Sequence, residues 1–317
     1  MQAARLGPHG PAVSRIGLGL AALGRPAYIT AGRDGDLPDR SVAGLRAQTF
    51  AMLDAAYAAG IRYADAARSY GRAEEFLGGW LAQRAHPDMI AGSKWGYRYT
   101  GDWRLDAGQH EVKEHSLAMF TAQLAESRAN LGDRLALYQV HSVTPDSPLF
   151  TDVPLLTALG RLRAEGVIIG LTTSGPGQAD TIRRALEVTA DGRPLFTAVQ
   201  VTWNLLEPSA GPAAAEAASA GWAVLVKEAV ANGRLTPAGE PPPEVTELAS
   251  ARGVTEDAIA LAAALASPWA SVVLSGAVTP AQLGQNLAAL TVGGLPELDL
   301  AESPGAYWAA RSARPWQ

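Results

Sequence analysis

The chain has 317 residues, of which 48% are hydrophobic and 18% are charged, so it can form a large core and general disorder is not expected. Its net charge of −5 argues against a broad nucleic-acid-binding face, which would need an excess of Lys and Arg. The sequence contains no cysteine, which excludes disulfides, thiolate metal ligands and cysteine nucleophiles.

Targeting and membrane signals are missing from the sequence. The first ten residues lack the apolar segment of a signal peptide. The longest apolar run, from Ala258 to Ala266, is too short to span a bilayer. We therefore expect a soluble, cytoplasmic protein that has no membrane or nucleic-acid partner.

Short apolar runs alternate along the chain with longer segments of helical periodicity. Eight runs predict strands, and these end near Leu20, Asp65, Lys94, His141, Thr173, Gln200, Val226 and Leu274. Helical stretches lie between them, for example at 45–59, 74–83, 117–131 and 155–163, and Pro280 occupies the first turn of the last one. Alternating strands and helices imply a parallel sheet. Eight repeats in this length predict a single α/β domain over residues 1–317, a (β/α)8 TIM barrel, rather than two doubly wound domains.

Three irregular segments interrupt the alternation. Loops 25–41 and 95–109 follow strand ends and carry aromatic and turn residues, so we expect them on the face where barrels hold their active sites. The segment 238–244 is rich in Pro and Gly, as linkers are, but the alternation continues past it. It is predicted to be a loop that leads into the seventh helical segment.

Four polar side chains lie at or just after three successive predicted strands: Asp65, Tyr70, Lys94 and His141. A Tyr has an ordinary pKa of about 10, so a neighbouring cation helps it to act as an acid at neutral pH. Lys94 can supply that cation by lowering the pKa of Tyr70, and a carboxylate such as Asp65 would keep a buried Lys charged. His141 can orient a carbonyl oxygen. Together the four predict a proton donor for carbonyl reduction.

These residues and their order resemble the aldo/keto reductases. The stretches that carry the resemblance are Asp65 to Glu74, Ser93-Lys94-Trp95-Gly96 and Tyr138-Gln-Val-His141, and it extends to 13–19, 200–206 and 275–286. The family implies a TIM barrel and a nicotinamide cofactor, NADP or NAD, bound without a Rossmann domain. It also implies a small-molecule carbonyl or alcohol substrate, with Tyr70 as general acid or base.

The resemblance also implies the binding residues. Ser174 and Gln200 match positions that hold the nicotinamide carboxamide, and Gln285 and Asn286 match those that hold the adenine. The other predicted cofactor contacts are Gly19, Lys227, Glu228, Asn232, Gly276, Ala277 and Gln282. Tyr28 and Trp95 follow strand ends and are predicted to line the substrate pocket, which the tail 307–317 would cap. No metal is expected.

Some positions depart from the family pattern. Gly175 replaces the Asn that usually follows the carboxamide-binding Ser, and Lys227 stands where many members stack an aromatic ring on the nicotinamide. The stem of Lys227 can cover one face of that ring, or its amine can contact the substrate or the pyrophosphate. Residues 276–278 and 282 are uncharged, whereas NADP-dependent members use basic residues there for the 2′-phosphate. NAD use, dual use and a dehydrogenase role therefore stay open, with Arg234 as an alternative cation for the phosphate.

Two further motifs give little support for a binding site. The segment Gly17-Leu-Gly19-Leu-Ala-Ala22 loosely matches a dinucleotide-binding fingerprint, but a loop pattern follows where a helix is required. His110 and His115 are five residues apart, which places them about 140° apart on a helix, so a solvated helix start is expected rather than a zinc site.

Two other functions stay open on the sequence alone. The first is a Schiff-base lyase that uses Lys94 as its nucleophile. The second is a non-catalytic relative that binds the cofactor and regulates another protein. The substrate and the oligomeric state are not predicted.

Overall fold

The computed structural model describes residues 3–29 and 33–316, and within them eight parallel strands form a closed barrel. In chain order, β1 to β8 are Ile16–Gly19, Tyr63–Asp65, Ile90–Trp95, Leu135–Val143, Ile168–Thr173, Ala198–Thr202, Ala223–Lys227 and Val272–Ser275. Each strand pairs with the next one along the chain, and β8 pairs with β1. The predicted (β/α)8 barrel is confirmed.

Helices follow the strands and form the outer layer. Their bounds are Val42–Ala58 after β1, Ala73–Arg84 after β2, Leu117–Leu131 after β3, Val153–Ala164 after β4, Gln178–Leu186 after β5, Gly211–Ser219 after β6, Pro243–Arg252 and Glu256–Ala266 after β7, and Pro280–Leu287 after β8. The short helix Arg33–Asp36 lies in the loop after β1, and Pro304–Ser312 forms the tail helix. Among the described helices, none is both long and apolar enough to cross a membrane.

Polar side chains fix where several of these helices begin. The hydroxyl of Ser41 accepts from the Gly44 N–H, that of Ser116 accepts from Met119, and that of Thr279 accepts from Gln282. Such caps satisfy N–H groups that have no partner inside the helix. The helix after β8, which carries the predicted adenine contacts, therefore starts at a defined residue.

The irregular segments follow the predictions in part. Residues 238–242 form a loop as expected, but the helix Pro243–Arg252 already begins inside the segment predicted as loop. The segment after β3 is more regular than predicted, because Tyr97–Tyr99 pairs with Glu111–Lys113 as an antiparallel hairpin. The expected helix start at His110 is therefore wrong, since Glu111 begins a strand there. In the loop 25–41, residues 30–32 lie outside the described part of the chain.

A second hairpin, Ala3–Arg5 with Ala12–Ser14, closes the N-terminal end of the barrel. Leu6 and Val13 belong to the same buried cluster as the inward residues Leu137 and Leu225. The hydroxyl of Ser14 accepts from the Arg62 N–H at 2.8 Å, just before β2. With that end filled by side chains, the open end is the one formed by the carboxyl ends of the strands.

Tyr63 fills the barrel interior below the site and sets the position of Asp65. Both residues face inward from β2, two positions apart, and the Tyr63 hydroxyl donates to Asp65 Oδ1 at 3.1 Å. The ring has room because Gly92 lies beside it on β3, where a Cβ would come within 2.1 Å of the hydroxyl oxygen. A side chain at residue 92 would therefore push Tyr63 and displace Asp65.

We expect Gly92→Ala to lower the free energy of unfolding by about 1–3 kcal/mol, the usual cost of overpacking a core. Chemical denaturation measures this value. The matched control is Gly284→Ala on the helix after β8, where, apart from its own helix, no described residue has an atom within 4 Å of the added methyl group. Since Ala favours helix, the control should lose no stability. Equal stability of the two variants would contradict the close contact between residues 63 and 92.

Candidate active site

A cavity of about 230 Å³ opens at the carboxyl ends of the strands. Strand ends, the loops after β1 and β7 and the tail after residue 310 contribute to its wall. The predicted site residues that line it are Gly19, Tyr28, Asp65, Tyr70, His141, Gln200, Lys227, Glu228, Asn232 and Gly276. One cavity therefore holds most of the predicted catalytic group together with part of the predicted cofactor group.

A buried ion pair between Lys94 and Asp65 forms the floor of the site. Lys94 is fully buried, and its ammonium donates to Asp65 Oδ2 and to the Ala66 carbonyl at 2.9 Å. The other oxygen of Asp65 accepts from the Gln200 amide at 3.1 Å and from Tyr63. Burial lowers the pKa of Lys94, and the Asp65 carboxylate opposes that shift. The two charges hold each other in a fixed position.

Tyr70 lies directly above this pair. The Lys94 ammonium is 4.7 Å from the centre of the phenol ring, and the His141 ring meets the phenol edge-on at 5.5 Å. Burial, and then the Asp65 carboxylate, raise the pKa of Tyr70 well above its ordinary value. The net lowering expected from Lys94 is therefore not found, because burial and the Asp65 carboxylate together raise the pKa of the phenol. The phenol therefore holds its proton at neutral pH, as a proton donor must.

His141 is neutral in this setting. Burial lowers the pKa of its imidazole well below the ordinary value, and the nearby cations Lys94 and Lys227 lower it further. The Ser69 hydroxyl lies 3.4 Å from its Nδ1. A neutral imidazole keeps one N–H, which can donate to a carbonyl oxygen next to Tyr70.

His115 fixes the backbone of His141 from behind. Its Nε2 donates to the His141 carbonyl at 2.8 Å, and its Nδ1 lies 2.8 Å from the Ser147 hydroxyl. Burial lowers the pKa of His115 to about 4, so the ring is neutral. Within the described residues, no three His, Asp or Glu side chains are grouped to hold a metal ion.

Arg25, which the sequence analysis missed, lies on the other side of Tyr70. The guanidinium is 5.0 Å from the Tyr70 ring and donates to Glu111 Oε2 at 2.9 Å and to the Ser69 carbonyl at 3.0 Å. Its charge lowers the pKa of Tyr70, against the larger effect of burial. The sequence feature that could have pointed to Arg25 was its position, five residues after Leu20 in a loop on the catalytic face.

The tail closes this side of the cavity, as predicted. The Trp316 ring lies 4.7 Å from the Arg25 guanidinium and stacks on His110 at 4.3 Å. Tyr28 meets the same ring edge-on at 6.2 Å. Arg311, Ser312 and Arg314 extend the wall along the tail.

The loop after β7 forms a concave backbone surface on the opposite wall. Glu228, Ala231 and Asn232 have φ values of 57°, 50° and 54°, which L-residues rarely adopt. The backbone N–H groups of Ala229, Val230 and Asn232 have no hydrogen-bond acceptor in the described part of the chain, although all three residues line the cavity. Loops of this kind collect N–H groups that bind anions. We call residues 228–233 the anion cradle.

Charged side chains surround the anion cradle. Glu228 accepts from the Arg311 Nε at 2.8 Å and from the Thr202 hydroxyl at 3.3 Å. Burial favours the protonated form of Glu228, but Arg311 and Lys227 outweigh it and lower its pKa to about 2. Lys227 donates to Thr202 Oγ1, and burial lowers its pKa to about 8.

The predicted adenine side lies next to Ser275 and Gly276 at the end of β8. Asn286 is buried, and its amide nitrogen donates to the Ser275 hydroxyl at 2.8 Å, whereas its Oδ1 has no partner within the described residues. Gln282, one turn earlier on the same helix, donates to Asp36 Oδ2 at 2.7 Å. Arg234, the alternative cation, is paired with Glu302.

Several predicted contacts do not line the cavity. Trp95 is the clearest correction: Lys94 faces inward, so the next residue faces outward, and the Trp95 ring packs against Phe120 at 5.1 Å. Ser174 also does not line the cavity. The residue of β5 level with Gln200 is Thr172, which accepts from the Ser142 N–H at 2.7 Å. The others are Ala277, Gln282, Gln285 and Asn286.

Sequence comparisons agree with this geometry. The model of the aldo/keto reductase family matches residues 15–303. The chain is 29% identical over 253 residues to a D-threo-aldose 1-dehydrogenase from a Pseudomonas species, a match that covers 73% of this chain and 72% of that protein. It is 32% identical over 142 residues to aldo-keto reductase str7 from Strobilurus tenacellus, which covers 44% of this chain and only 37% of that protein.

Solved structures extend the comparison to the fold. The holo form of an aldo-keto reductase from Bacillus halodurans superposes with a TM-score of 0.69 at 21% identity, over 98% of this chain and 96% of that one. A Pseudomonas aeruginosa protein assigned to the aldo-keto reductases gives a TM-score of 0.67 at 25% identity, over 92% and 95% of the two chains. With the family model matched across most of its length, the chain belongs to the aldo/keto reductase family of oxidoreductases.

Proposed function

We propose that this protein interconverts an aldehyde or ketone and the corresponding alcohol with a nicotinamide cofactor. The observation that carries the proposal is the convergence of Tyr70 and His141 over the buried Lys94–Asp65 pair, in a cavity whose other wall is the anion cradle. A proton donor and a site for an anionic cofactor thus face the same space. These are the two components that a hydride-transfer enzyme requires.

The residues present fit a dinucleotide. The anion cradle offers three free N–H groups and the Lys227 cation to a pyrophosphate. The partnerless Oδ1 of Asn286 can accept from the amino group of adenine. When bound, the nicotinamide supplies a hydride to the carbonyl carbon, or accepts one from the alcohol.

The protein's own residues handle the proton. The His141 N–H donates to the carbonyl oxygen and orients it, and the Tyr70 phenol transfers its proton to that oxygen. Lys94 and Arg25 stabilise the phenolate that remains, while Asp65 keeps Lys94 charged despite its burial. In the oxidative direction, Tyr70 takes the proton back from the alcohol.

The geometry disfavours the two alternative functions. The Lys94 amine is fully buried and bonded to Asp65 and to the Ala66 carbonyl, so it is held away from a substrate carbonyl and is a poor Schiff-base nucleophile. A protein that only binds the cofactor would not need a phenol held protonated between two cations. Both points support catalysis by Tyr70.

A polar, hydroxyl-bearing substrate suits the wall next to Tyr70. The paired side chains of Arg25 and Glu111 present donors and acceptors there, and Trp316 adds a flat apolar face. The Pseudomonas relative is named for the oxidation of aldoses, which are substrates of this chemistry. We therefore propose an aldose or a similar hydroxy-carbonyl compound as the substrate class.

We propose NAD rather than NADP as the preferred cofactor. Asp36 places a carboxylate beside Gln282, one helical turn from Asn286, and residues 276–278 are uncharged. A 2′-phosphate near this group would be repelled, whereas a ribose hydroxyl can donate to a carboxylate. Arg234, the cation that the sequence offered as an alternative, is paired with Glu302.

Titration of the protein with NADH and with NADPH, followed by quenching of its eight tryptophans, tests this preference. We expect NADH to bind at least tenfold more tightly. The Asp36→Asn variant should narrow the difference, because it removes the repelling charge. Tighter binding of NADPH would reverse the proposed preference, and binding of neither would overturn the proposed function.

Tyr70→Phe should lower turnover by about 10² to 10⁴, since it removes the proton donor and little else. Steady-state rates with an active aldose or aldehyde measure this, and the Kd for NADH should stay within threefold of the wild-type value. Tyr138→Phe is the matched control: it removes another buried phenol, which contacts Ser127 outside the barrel. A loss below tenfold in Tyr70→Phe would exclude Tyr70 as the proton donor.

Cofactor affinity should fall as the pH rises through about 8, the pKa of Lys227. The protonated amine attracts the diphosphate and the neutral amine does not, so the Kd for NADH should increase between pH 7 and pH 9. The pKa values of His141 and Glu228 lie well below this interval, and that of Tyr70 lies above it. In Lys227→Met the Kd should be higher at pH 7 and nearly constant with pH. An equal pH dependence in this variant would assign the effect to another group.

A further inference from the structure

A partly buried ion pair connects the tail helix to the anion cradle. The Arg311 guanidinium donates through its Nε and Nη2 to both oxygens of Glu228, at 2.5 to 3.1 Å. The Glu228 side chain is only 7% exposed, and that of Arg311 is 23% exposed. Both residues line the cavity, so the pair is part of the wall that a cofactor would meet.

The position of Glu228 presents an electrostatic problem. It is the first residue of the anion cradle, where a carboxylate would repel the diphosphate that the N–H groups attract. It also lies 3.9 Å from the Lys227 ammonium, close enough to pair with it. Without another cation, Glu228 would both repel the cofactor and neutralise the nearest side chain that can bind it.

We infer that Arg311 completes the dinucleotide site from the tail, by neutralising Glu228 and leaving Lys227 available to the diphosphate. Arg311 is therefore a positioning residue that acts through Glu228. The inference rests on the proposed function, because it assigns a role at the same cofactor site. It makes the tail helix part of the cofactor site, in addition to its contacts with the substrate side of the cavity.

The tail helix is also anchored independently of Arg311. The Asn204 amide donates to the Glu228 carbonyl at 3.0 Å and to the Tyr307 hydroxyl at 2.9 Å. Tyr307 and Trp308 are buried against the core. Loss of the Arg311 charge should therefore leave the helix in place, so that its effect on binding can be measured.

The test measures the Kd for NADH, by tryptophan quenching, in Arg311→Met, Glu228→Gln and the double variant. We expect Arg311→Met to bind at least tenfold more weakly, because it leaves a buried carboxylate uncompensated. Glu228→Gln should bind at least as tightly as the wild type. The double variant should return to within threefold of the wild type, since neither charge remains. A purely structural role of Arg311 would not be rescued by Glu228→Gln.

Arg183→Met is the matched control. It breaks a bidentate Arg–Glu pair of the same kind, with Glu216 on the outer helices, and should leave the Kd unchanged. The inference is overturned if Arg311→Met binds within threefold of the wild type, or if the double variant binds as weakly as Arg311→Met. If Arg311→Met does not fold, tenfold weaker binding by Glu228→Gln or by the double variant overturns it. Failure of the wild type to bind either cofactor would instead count against the proposed function.

Discussion

The site depends on one buried ion pair at the floor of the cavity. Lys94 and Asp65 are buried at the ends of neighbouring strands, where removing either charge would leave the other unpaired at a cost of about 3–5 kcal/mol. The pair is tolerable because its remaining hydrogen-bonding capacity is used by Tyr63, Gln200 and the Ala66 carbonyl. These contacts join β2, β3 and β6 across the barrel, so Tyr70 above the pair rests on a rigid base.

The barrel itself, and the grouping of the proposed catalytic residues at one end of it, could be predicted from the sequence. Strands that alternate with helices leave few topologies, and the carboxyl ends of parallel strands must meet at one end of the barrel. Asp65, Lys94 and His141 are strand residues, so their register follows from the alternation of side chains. That alternation also explains why Trp95 failed as a pocket residue: next to an inward Lys94, it had to face the helices. Applying the two-residue alternation of side chains along β3 would have predicted that Trp95 faces the helices.

The contributions of loops and of the tail could not be predicted in the same way. Arg25, Glu111 and Trp316 meet around Tyr70 from three segments that are far apart in the chain, and no short-range pattern indicates their contact. The direction of the Tyr70 pKa was also missed. Lys94 was expected to lower this pKa, whereas burial of the phenol, which the sequence does not reveal, raises it and is the larger effect.

Most charged residues of the cavity wall belong to ion pairs. The carboxylates that line the cavity, those of Asp65, Glu111 and Glu228, are each paired with a cation: Lys94, Arg25 and Arg311, respectively. Lys227 and Arg314 also face the cavity: Lys227 lies 3.9 Å from Glu228, which Arg311 already pairs, and Arg314 forms no ion pair with the described residues. The wall therefore carries a surplus of positive charge, although the whole protein is acidic. A dianionic pyrophosphate would balance that surplus, so under the proposed function the three ion pairs would contribute to cofactor binding as well as to the fold.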